Sequence, residues 1–278
     1  MAANTTPQTS VIIPTHNRAR LLERALRSVF SQTFQDFEIV VLDDASTDNT
    51  ESVLAAWRAQ DPRVRSMRIE NSKHPDISSV LNAGLRGARG VYIARLDDDD
   101  WWCHPDKLKL QVEFMEKNQA YVVVGGGVIA VNSQGKELFR YCKHEGDAEI
   151  RNHALSANPF SHTTVLFRRD AAVAVGGYGN WRYAEDWDLW LKLGAKGKFY
   201  NFQEYFTVYT ISGKNKSFMY QREQAKIILA IVKANRAAYP GFYRGYTLQC
   251  VQRLYSFLPL ALRRALHHTL SYVKRKFF

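Results

Sequence analysis

Apolar residues in the first hundred positions occur in short runs separated by amphipathic segments. The runs predict strands at residues 10–14, 38–42, 64–69 and 91–96. Apolar residues at helical spacing predict intervening helices from about residue 20, over 46–57 and over 77–88. Strands that alternate with helices indicate an α/β fold with a mostly parallel, Rossmann-like sheet covered on both faces.

The pattern changes after Pro105 and again after residue 212. Between these points it predicts a helix at 107–117, an apolar run at 121–131 closed by a turn at 132–135, a strand at 163–167 and a helix at 183–193. This half is therefore expected to be mixed α+β. Beyond it the pattern predicts basic helices, at 220–239 and in an amphipathic segment at 258–278.

Polar side chains follow three of the predicted parallel strands where each strand ends. They lie at residues 15–18, at Asp43-Asp44 and at 97–100, which are four consecutive aspartates. Right-handed crossovers place such strand ends at one edge of the sheet, where ligands bind in these folds. Because adjacent carboxylates repel one another, the four aspartates favour a bound divalent cation over an ordinary solvated loop.

The other candidate positions each have a structural alternative. Asp43-Asp44 is equally suited to capping the next helix and to accepting from a base or ribose. Glu185-Asp186 fits first-turn helix acids as well as a carboxylate that takes a proton from a hydroxyl. His162 is either a polar core residue or a cleft residue, and Trp187 is a core residue or a sugar platform.

Composition and charge narrow the class of protein. The chain has 278 residues, is 46% apolar and carries a formal charge of +11. Residues 1–212 hold 25 Lys+Arg against 26 Asp+Glu, whereas residues 213–278 hold 13 against one. The basic excess thus belongs to the last quarter, where it predicts contact with an anionic membrane surface, or a solvated face, rather than a nucleic-acid partner.

The cellular location is predicted from the absence of membrane-spanning, signal-peptide and disulfide patterns in the sequence. No run approaches the roughly 18 apolar residues of a membrane span, and no signal-peptide core follows the polar N-terminus. The three cysteines have no close pairing, as expected of a reducing compartment. We therefore expect a cytoplasmic protein whose membrane contact, if any, is peripheral, and the sequence contains no signal for an oligomeric state.

The chain resembles glycosyltransferase family 2, enzymes of the GT-A fold, over about residues 10–212. The resemblance rests on the ordered motifs VIIPTHNR, SQTFQDFEIVVLDDASTD, LNAGLRGARGVYIARLDDDD and GGYGNWRYAEDWDLWLKL. It implies a nucleotide-sugar-binding half at 1–105, an acceptor-binding half of the same domain at 106–212 and a basic helical extension at 213–278. The polymerase motif QxxRW is absent from the sequence, which argues against a processive synthase.

The resemblance assigns roles to individual residues. Asp186 would be the catalytic base and Glu185 would orient it or the acceptor, while Asp99 and Asp97 would hold Mn²⁺ or Mg²⁺. The residues assigned to substrate binding are Pro14, Thr15, Asn17, Arg18, Asp43, Asp44, Asn82, Asp97, Asp98, His162 and Trp187. Pro105 lies eight residues after Asp97, one more than in many relatives, so Asp98 and Asp100 stay open as metal ligands.

The activity implied is inverting transfer of one sugar from a nucleotide diphosphate sugar, a UDP-sugar being favoured. The acceptor would be a hydroxyl of a glycan or of a lipid-linked acceptor in cell-surface polysaccharide synthesis. Two alternatives remain open, namely a sugar-phosphate nucleotidyltransferase and a non-catalytic nucleotide-binding scaffold. The segment THNRAR is not the glycine-rich phosphate loop that nucleotidyltransferases use, which argues against the first alternative.

Overall fold

The computed structural model describes residues 6–69, 77–211 and 220–258. In chain order its first elements are β1 (Thr9–Thr15), α1 (Ala19–Phe30), β2 (Phe37–Asp43), α2 (Thr50–Gln60), β3 (Val64–Arg68), α3 (Ile77–Gly87) and β4 (Tyr92–Arg95). They are followed by β5 (Trp101–Trp102), α4 (Lys107–Lys117), β6 (Tyr121–Asn132), β7 (Glu137–Tyr141), α5 (Asp147–His153), β8 (Leu166–Arg168), α6 (Arg169–Ala174), α7 (Glu185–Gly194), β9 (Lys198–Ile211), α8 (Gln221–Ala234) and α9 (Phe242–Tyr255).

The four strands of the first half form the parallel part of one sheet. Their order is β3-β2-β1-β4, and β1 pairs in parallel with both β2 and β4. Val11 is in register with Ile39 on one side and Ala94 on the other. The predicted parallel sheet is confirmed, and the polar ends of β1, β2 and β4 lie at its carboxyl edge.

The second half extends the same sheet with mixed strand directions. Beyond β4 the order is β8-β6-β9-β5, with β7 added to β6. β8 runs antiparallel to β4 and to β6, whereas β9 runs parallel to β6 over most of its length. The sheet therefore continues from the strands of the first half into those of the second half without a break.

Three features of the second half differ from the predicted elements. Residues 163–167 were expected to form a strand, but His162–Thr164 is a 3-10 turn and the strand begins at Leu166. The helix expected at 183–193 begins at Glu185, since Ala184 before it has a left-handed backbone. The 14-residue strand β9 has no regular apolar alternation, because it crosses from the core to the site and to the surface, and the sequence pattern did not indicate it.

Alternate residues of the central strands face two separate hydrophobic cores. Ile12, Val40 and Leu42 pack toward α3 and α7, while Val11 and Ile39 pack toward α1 and α4. Both faces of the sheet are thus covered by helices, as an α/β architecture requires.

The helices after residue 220 pack against the preceding part of the chain. Ile231 and Val232 of α8 are fully buried in the core that contains Trp190. The hydroxyl of Tyr239 donates to the Leu191 carbonyl oxygen at 2.8 Å. The amphipathic segment predicted at 258–278 lies, apart from its first residue, outside the described residues. Among the described residues, no helix has the length and apolar character needed to cross a membrane.

Candidate active site

The loops that follow β1 and β2 are tied together by Asn17. Its side-chain oxygen accepts from the backbone N–H groups of Thr47 and Asp48 at 2.7 and 3.2 Å, and its own N–H donates to the Ser46 hydroxyl. Asn17 has a positive φ of 53°, which asparagine tolerates better than most residues. The predicted nucleotide side of the site is therefore a rigid pair of loops.

Asp43 and Asp44 differ in their surroundings. Asp43 is buried at the end of β2, where it accepts from the Ser46 N–H at 3.0 Å and pairs with Arg68 at 2.9 Å. Asp44 is only half-buried, and its N–H donates to the Thr15 carbonyl oxygen. Asp43 does not fill the helix-capping role left open for this pair, because α2 begins at Thr50 and the Thr50 N–H donates to Asp48. Asp43 instead fixes the loop that follows β2.

The four aspartates lie in the turn between β4 and β5, opposite the loop after β1. Arg18 donates to Asp98 and to Asp99, at 2.9 Å in each case. Thr15 donates to the second oxygen of Asp98 at 2.8 Å. Because both oxygens of the buried Asp98 have protein partners, this residue links β1 to the aspartate turn.

Asp97 is held from beneath by a buried arginine. Arg95 is 2% exposed, and its guanidinium donates to Asp97 at 2.6 Å and to the Leu96 carbonyl oxygen. Burial is the largest single influence and acts to raise the pKa of Asp97, but the charge and hydrogen bond of Arg95, with His162 and Arg18, together bring the pKa below its usual value. Asp97 is thus an ionised carboxylate, and its side chain keeps 37% of its surface exposed.

Asp99 and Asp100 have carboxyl groups with perturbed pKa values. Burial and the nearby Asp97 raise the pKa of Asp99 to about 6, and Arg18 opposes this. The pKa of Asp100 lies well above its usual value for the same reasons, burial first and then Asp97 and Asp99. Asp100 is fully buried and one of its oxygens has no partner in the described part of the chain, as fits a protonated carboxyl.

These carboxyl groups suit a hard divalent cation. They offer oxygen ligands only, and their mutual repulsion at Asp99 is what a cation would relieve. Mg²⁺ and similar ions commonly take one or two carboxylates and complete their shell with water and substrate phosphates. No cluster of three or more Asp, Glu, His or Cys side chains in the described ranges is arranged as a ready-made metal cage.

Glu185 and Asp186 begin α7, in the second half of the chain. Asp186 accepts from the Asn158 side-chain amide at 2.8 Å and from the Trp187 backbone N–H at 2.7 Å. A carboxylate offers about four acceptor positions, so these two bonds orient Asp186 and leave positions open. Burial and the adjacent Asp186 raise the pKa of Glu185 to about 8, which leaves Glu185 protonated at neutral pH.

His162 and Tyr178 lie between the aspartate turn and α7. The His162 ring nitrogen Nε2 is 3.0 Å from the Tyr178 hydroxyl. Burial and the Arg95 charge lower the pKa of His162 to about 4, against the opposing influence of Asp186 and Asp97. His162 is therefore neutral at pH 7, and the influence of both Asp97 and Asp186 on its pKa shows that it lies near both acidic groups.

Three of the predicted site residues have their side chains occupied elsewhere. Pro14 is buried within β1. Both ends of the Asn82 amide bind the backbone of Tyr178, at 2.8 and 2.9 Å. Trp187 is buried, and its indole N–H donates to the Ala154 carbonyl oxygen. Asn82 and Trp187 thus hold the segments that carry Tyr178 and Asp186.

The structure adds residues that sequence reasoning missed. Arg95, Asn158, Tyr178 and Arg68 contact or orient predicted site residues. Arg95 could have been found from the sequence, since an arginine at the end of an apolar strand needs a buried anion. The other three contact the site from distant points of the chain, for which no local pattern exists.

Comparison with known proteins gives a consistent family assignment. Residues 10–176 match the profile described as Glycosyl transferase family 2. EpsE of Bacillus subtilis (strain 168), named as a glycosyltransferase, is 31% identical over 274 residues, covering 95% of this chain and 94% of EpsE. The amylovoran biosynthesis glycosyltransferase AmsE of Erwinia amylovora is 32% identical, covering 68% of this chain and 70% of AmsE.

Solved structures share the fold at lower identity. Staphylococcus aureus TarS 1-349, solved with UDP-GlcNAc, superimposes with a TM-score of 0.64 at 20% identity, covering 81% of this chain and 66% of TarS 1-349. The mannosyltransferase PcManGT from Pyrobaculum calidifontis, solved with GDP-Man and Mn²⁺, has a TM-score of 0.59 at 21% identity and covers 97% and 81%. The predicted GT-A type of α/β fold is confirmed.

Proposed function

Because this chain belongs to glycosyltransferase family 2 and is a glycosyltransferase, we propose that it is an inverting, metal-dependent enzyme that transfers one sugar. The donor would be a nucleotide diphosphate sugar, with a UDP-sugar favoured. The acceptor would be a hydroxyl of a glycan or of a lipid-linked acceptor in cell-surface polysaccharide synthesis. The biosynthetic role of AmsE and the nucleotide sugars bound by TarS and PcManGT support this assignment.

The observation that carries the proposal is the presence of two acidic groups on either side of Arg95 and His162: Arg95 is paired with Asp97, and His162 lies near both Asp97 and Asp186. The aspartate turn at one side would face the leaving diphosphate, and Asp186 at the other would face the nucleophile. Such a division matches inverting transfer, in which attack and departure occur on opposite faces of one carbon. General-base catalysis needs only one carboxylate on the acceptor side.

The chemical step places Asp186 as the general base. Its carboxylate accepts the proton of the acceptor hydroxyl while the hydroxyl oxygen forms a bond to the anomeric carbon. The bond from that carbon to the diphosphate oxygen breaks, and the diphosphate leaves with the electron pair. Asn158 and the Trp187 N–H keep the Asp186 oxygens oriented, and protonated Glu185 donates a hydrogen bond to the acceptor or to Asp186.

Asp99 and Asp97 are the residues that would hold Mn²⁺ or Mg²⁺. A divalent cation at this position supplies charge neutralisation for the departing diphosphate. Arg18, whose side chain is about half exposed beside Asp98 and Asp99, would add a positive charge for the phosphates. Thr15, Asn17 and Asp44 would line the nucleoside side, and His162 would contact the sugar between the two acidic groups.

Substitution of Asp186 by asparagine tests the assignment of the base. We expect release of UDP or GDP from the matching nucleotide sugar to fall by about two to four orders of magnitude, the scale of acid–base catalysis. Binding of the nucleotide, followed by calorimetry, should stay close to wild type. The matched control is Asp170→Asn, an exposed aspartate in the first turn of α6, which should change neither quantity. Weak nucleotide binding with normal turnover at saturation would remove Asp186 from the base role.

Thermal shift with a nucleotide panel separates the proposed function from its alternatives. UDP or GDP with Mn²⁺ should raise the melting temperature more than either alone, because bound ligand stabilises the folded state. Greater stabilisation by a nucleoside triphosphate would favour a nucleotidyltransferase. Mass detection of the sugar released from each donor would then identify the sugar.

A further inference from the structure

Helix α9 exposes a row of large apolar side chains to solvent. Tyr243 is 84% exposed, Val251 55%, Leu254 70% and Phe257, in the turn that ends the helix, 54%. At 3.6 residues per turn these four positions fall within an arc of about 120° on one face. We call them the α9 stripe. Exposed large apolar side chains that gather on one face, in contrast to ones scattered singly, mark interaction sites.

The opposite face of α9 packs on the acceptor side of the enzyme. Gly245 lies so close to the backbone of Leu155 that a Cβ atom there would come within 2.7 Å of the Leu155 carbonyl oxygen. Gln249 donates to the Ser156 carbonyl oxygen at 2.8 Å, and Arg244 donates to that of Asn152. The segment that α9 covers leads directly to Asn158, the residue that orients Asp186.

Positive charge flanks the stripe. Residues 220–258 contain six Lys or Arg and a single acid, Glu223. Helical spacing places Arg244 on one side of the stripe and Arg253 on the other. Arg222 donates to the Ser256 carbonyl oxygen and lies 4.9 Å from the Phe257 ring centre, next to the end of the stripe.

We propose that the α9 stripe, with its flanking arginines, docks on an anionic lipid surface. Aromatic and aliphatic side chains bordered by basic residues on one helix are suited to the boundary between headgroups and acyl chains. Anionic lipid attracts basic residues that lie near the membrane surface. The docking itself is independent of the proposed function, whereas its consequence rests on it. A membrane at α9 would present lipid-linked acceptors to the Asp186 side of the site.

Two other occupants of the stripe fit the charge and size less well. Residues 259–278 carry five Lys or Arg and no acid, so they share the charge of the arginines beside the stripe. A second copy of the chain would share it too. Stable protein interfaces use about 20 to 30 residues on each side, far more than the few exposed on this helix. An anionic bilayer is the partner with complementary charge.

Vesicle flotation of the full chain tests the docking. Vesicles of phosphatidylglycerol mixed with phosphatidylcholine should bind the protein, and pure phosphatidylcholine should bind it at least about tenfold more weakly. The variant Tyr243→Ser/Leu254→Ser/Phe257→Ser should lower the partition coefficient on the anionic vesicles by at least about tenfold, because it removes three apolar side chains that docking would bury in the bilayer. The control Leu138→Ser/Val173→Ser changes two other exposed apolar residues, at 49% and 54% exposure, and should bind as wild type.

Three results would overturn the proposal. One is equal flotation of the α9 variant and the wild type. Another is loss of flotation in Leu262→Ser/Leu266→Ser/Leu270→Ser while the α9 variant still floats, which would assign lipid binding to the residues after 258. The third is absence of vesicle binding together with a dimer, seen by light scattering, that the α9 variant abolishes. Nucleotide release and thermal shift with UDP and Mn²⁺ are measured on the same proteins. These two measurements test the proposed function, so failure of the docking test can be distinguished from failure of the proposed function.

Discussion

Glu185 and Asp186 are adjacent acids with different surroundings. Asp186 accepts two hydrogen bonds, from Asn158 and from the Trp187 N–H. Burial and the neighbouring Asp186 raise the pKa of Glu185 to about 8. A protonated Glu185 can donate a hydrogen bond but cannot take up the proton of an acceptor hydroxyl, which leaves Asp186 as the candidate base.

The state of Glu185 can be tested by comparing Glu185→Gln with Glu185→Ala. Glutamine resembles the protonated acid, so we expect Glu185→Gln to retain more than about a tenth of wild-type turnover at pH 7, whereas Asp186→Asn loses about two to four orders of magnitude. Glu185→Ala, which removes the donor, should fall between them. Nucleotide release under saturating donor gives these values. Equal losses in Glu185→Gln and Asp186→Asn would show that Glu185 works as an ionised group.

The same residue predicts how stability depends on pH. The pKa of Glu185 in the folded state, about 8, lies above the ordinary value of 4.5, so the folded chain holds the proton more tightly than the unfolded chain. Its contribution to stability is complete below about pH 4.5 and is lost as the pH rises through about 8. The melting temperature of the wild type should therefore fall between pH 6 and pH 9. Glu185→Gln should show a smaller fall, and parallel curves for the two proteins would contradict the protonation.

Substitutions of Asp99 and of Asp100 distinguish between the possible metal ligands. Asp100 is fully buried with its pKa held well above normal by burial and by Asp97 and Asp99, so Asp100→Asn imitates its protonated form. We expect this variant to keep metal-dependent binding of the donor nucleotide. Asp99→Asn should lose it, which calorimetry with and without EDTA would record. Unchanged binding in Asp99→Asn would move the ligand to a neighbouring aspartate.

At the scale of elements, backbone strain is concentrated beside the site. In the described ranges the residues other than glycine with positive φ are Asn17, Ala45 and Ala184. Each stands in a loop next to a predicted site residue, after β1, after β2 and before α7. A left-handed conformation costs a residue with a side chain roughly 1–2 kcal/mol, and such strain persists where the surroundings impose it.

Ala184→Gly measures this strain directly. Glycine accepts the left-handed conformation without cost, which offsets the entropy that glycine adds to the unfolded chain. We expect the free energy of unfolding to stay unchanged or rise by up to about 1 kcal/mol. Ala55→Gly, at an exposed position inside α2, is the matched control and should lose about 1 kcal/mol. Urea denaturation gives both values, and similar losses in the two variants would show that Ala184 is not strained.

At the scale of the whole molecule, α8 is part of the core on which α7 stands. Ile231 and Val232 are fully buried in the cluster that contains Trp190, and Tyr239 binds the backbone of α7 at Leu191. The helices after residue 220 are therefore coupled to the helix that presents Glu185 and Asp186. The boundaries predicted at residues 105 and 212 divide the chain by expected function and stay predictions. The sheet continues across the first boundary, and one hydrophobic core contains residues from all three parts.

Ile231→Ala tests that coupling. Removing a buried isoleucine side chain costs about 2–5 kcal/mol, and here the loss should appear in one cooperative transition. Stabilisation by UDP with Mn²⁺ should disappear at the same denaturant concentration as helical structure, because the site unfolds with α8. Ile227→Ala, on the same helix at a partly buried position, should cost less. An early transition that leaves nucleotide binding intact would separate the C-terminal helices from the catalytic core.

The sequence by itself determined the parallel half of the sheet, the polar strand ends and the two acidic groups. Each of these depends on residues that are adjacent in the chain or that recur at the spacing of a strand or a helix. Tertiary structure alone decided the partners: Arg95 beneath Asp97, Asn158 on Asp186, and His162 with Tyr178 between the acids. It also decided strand β9 and the exposed face of α9. Burial, pKa and pairing depend on groups that are distant along the chain, so no local pattern encodes them.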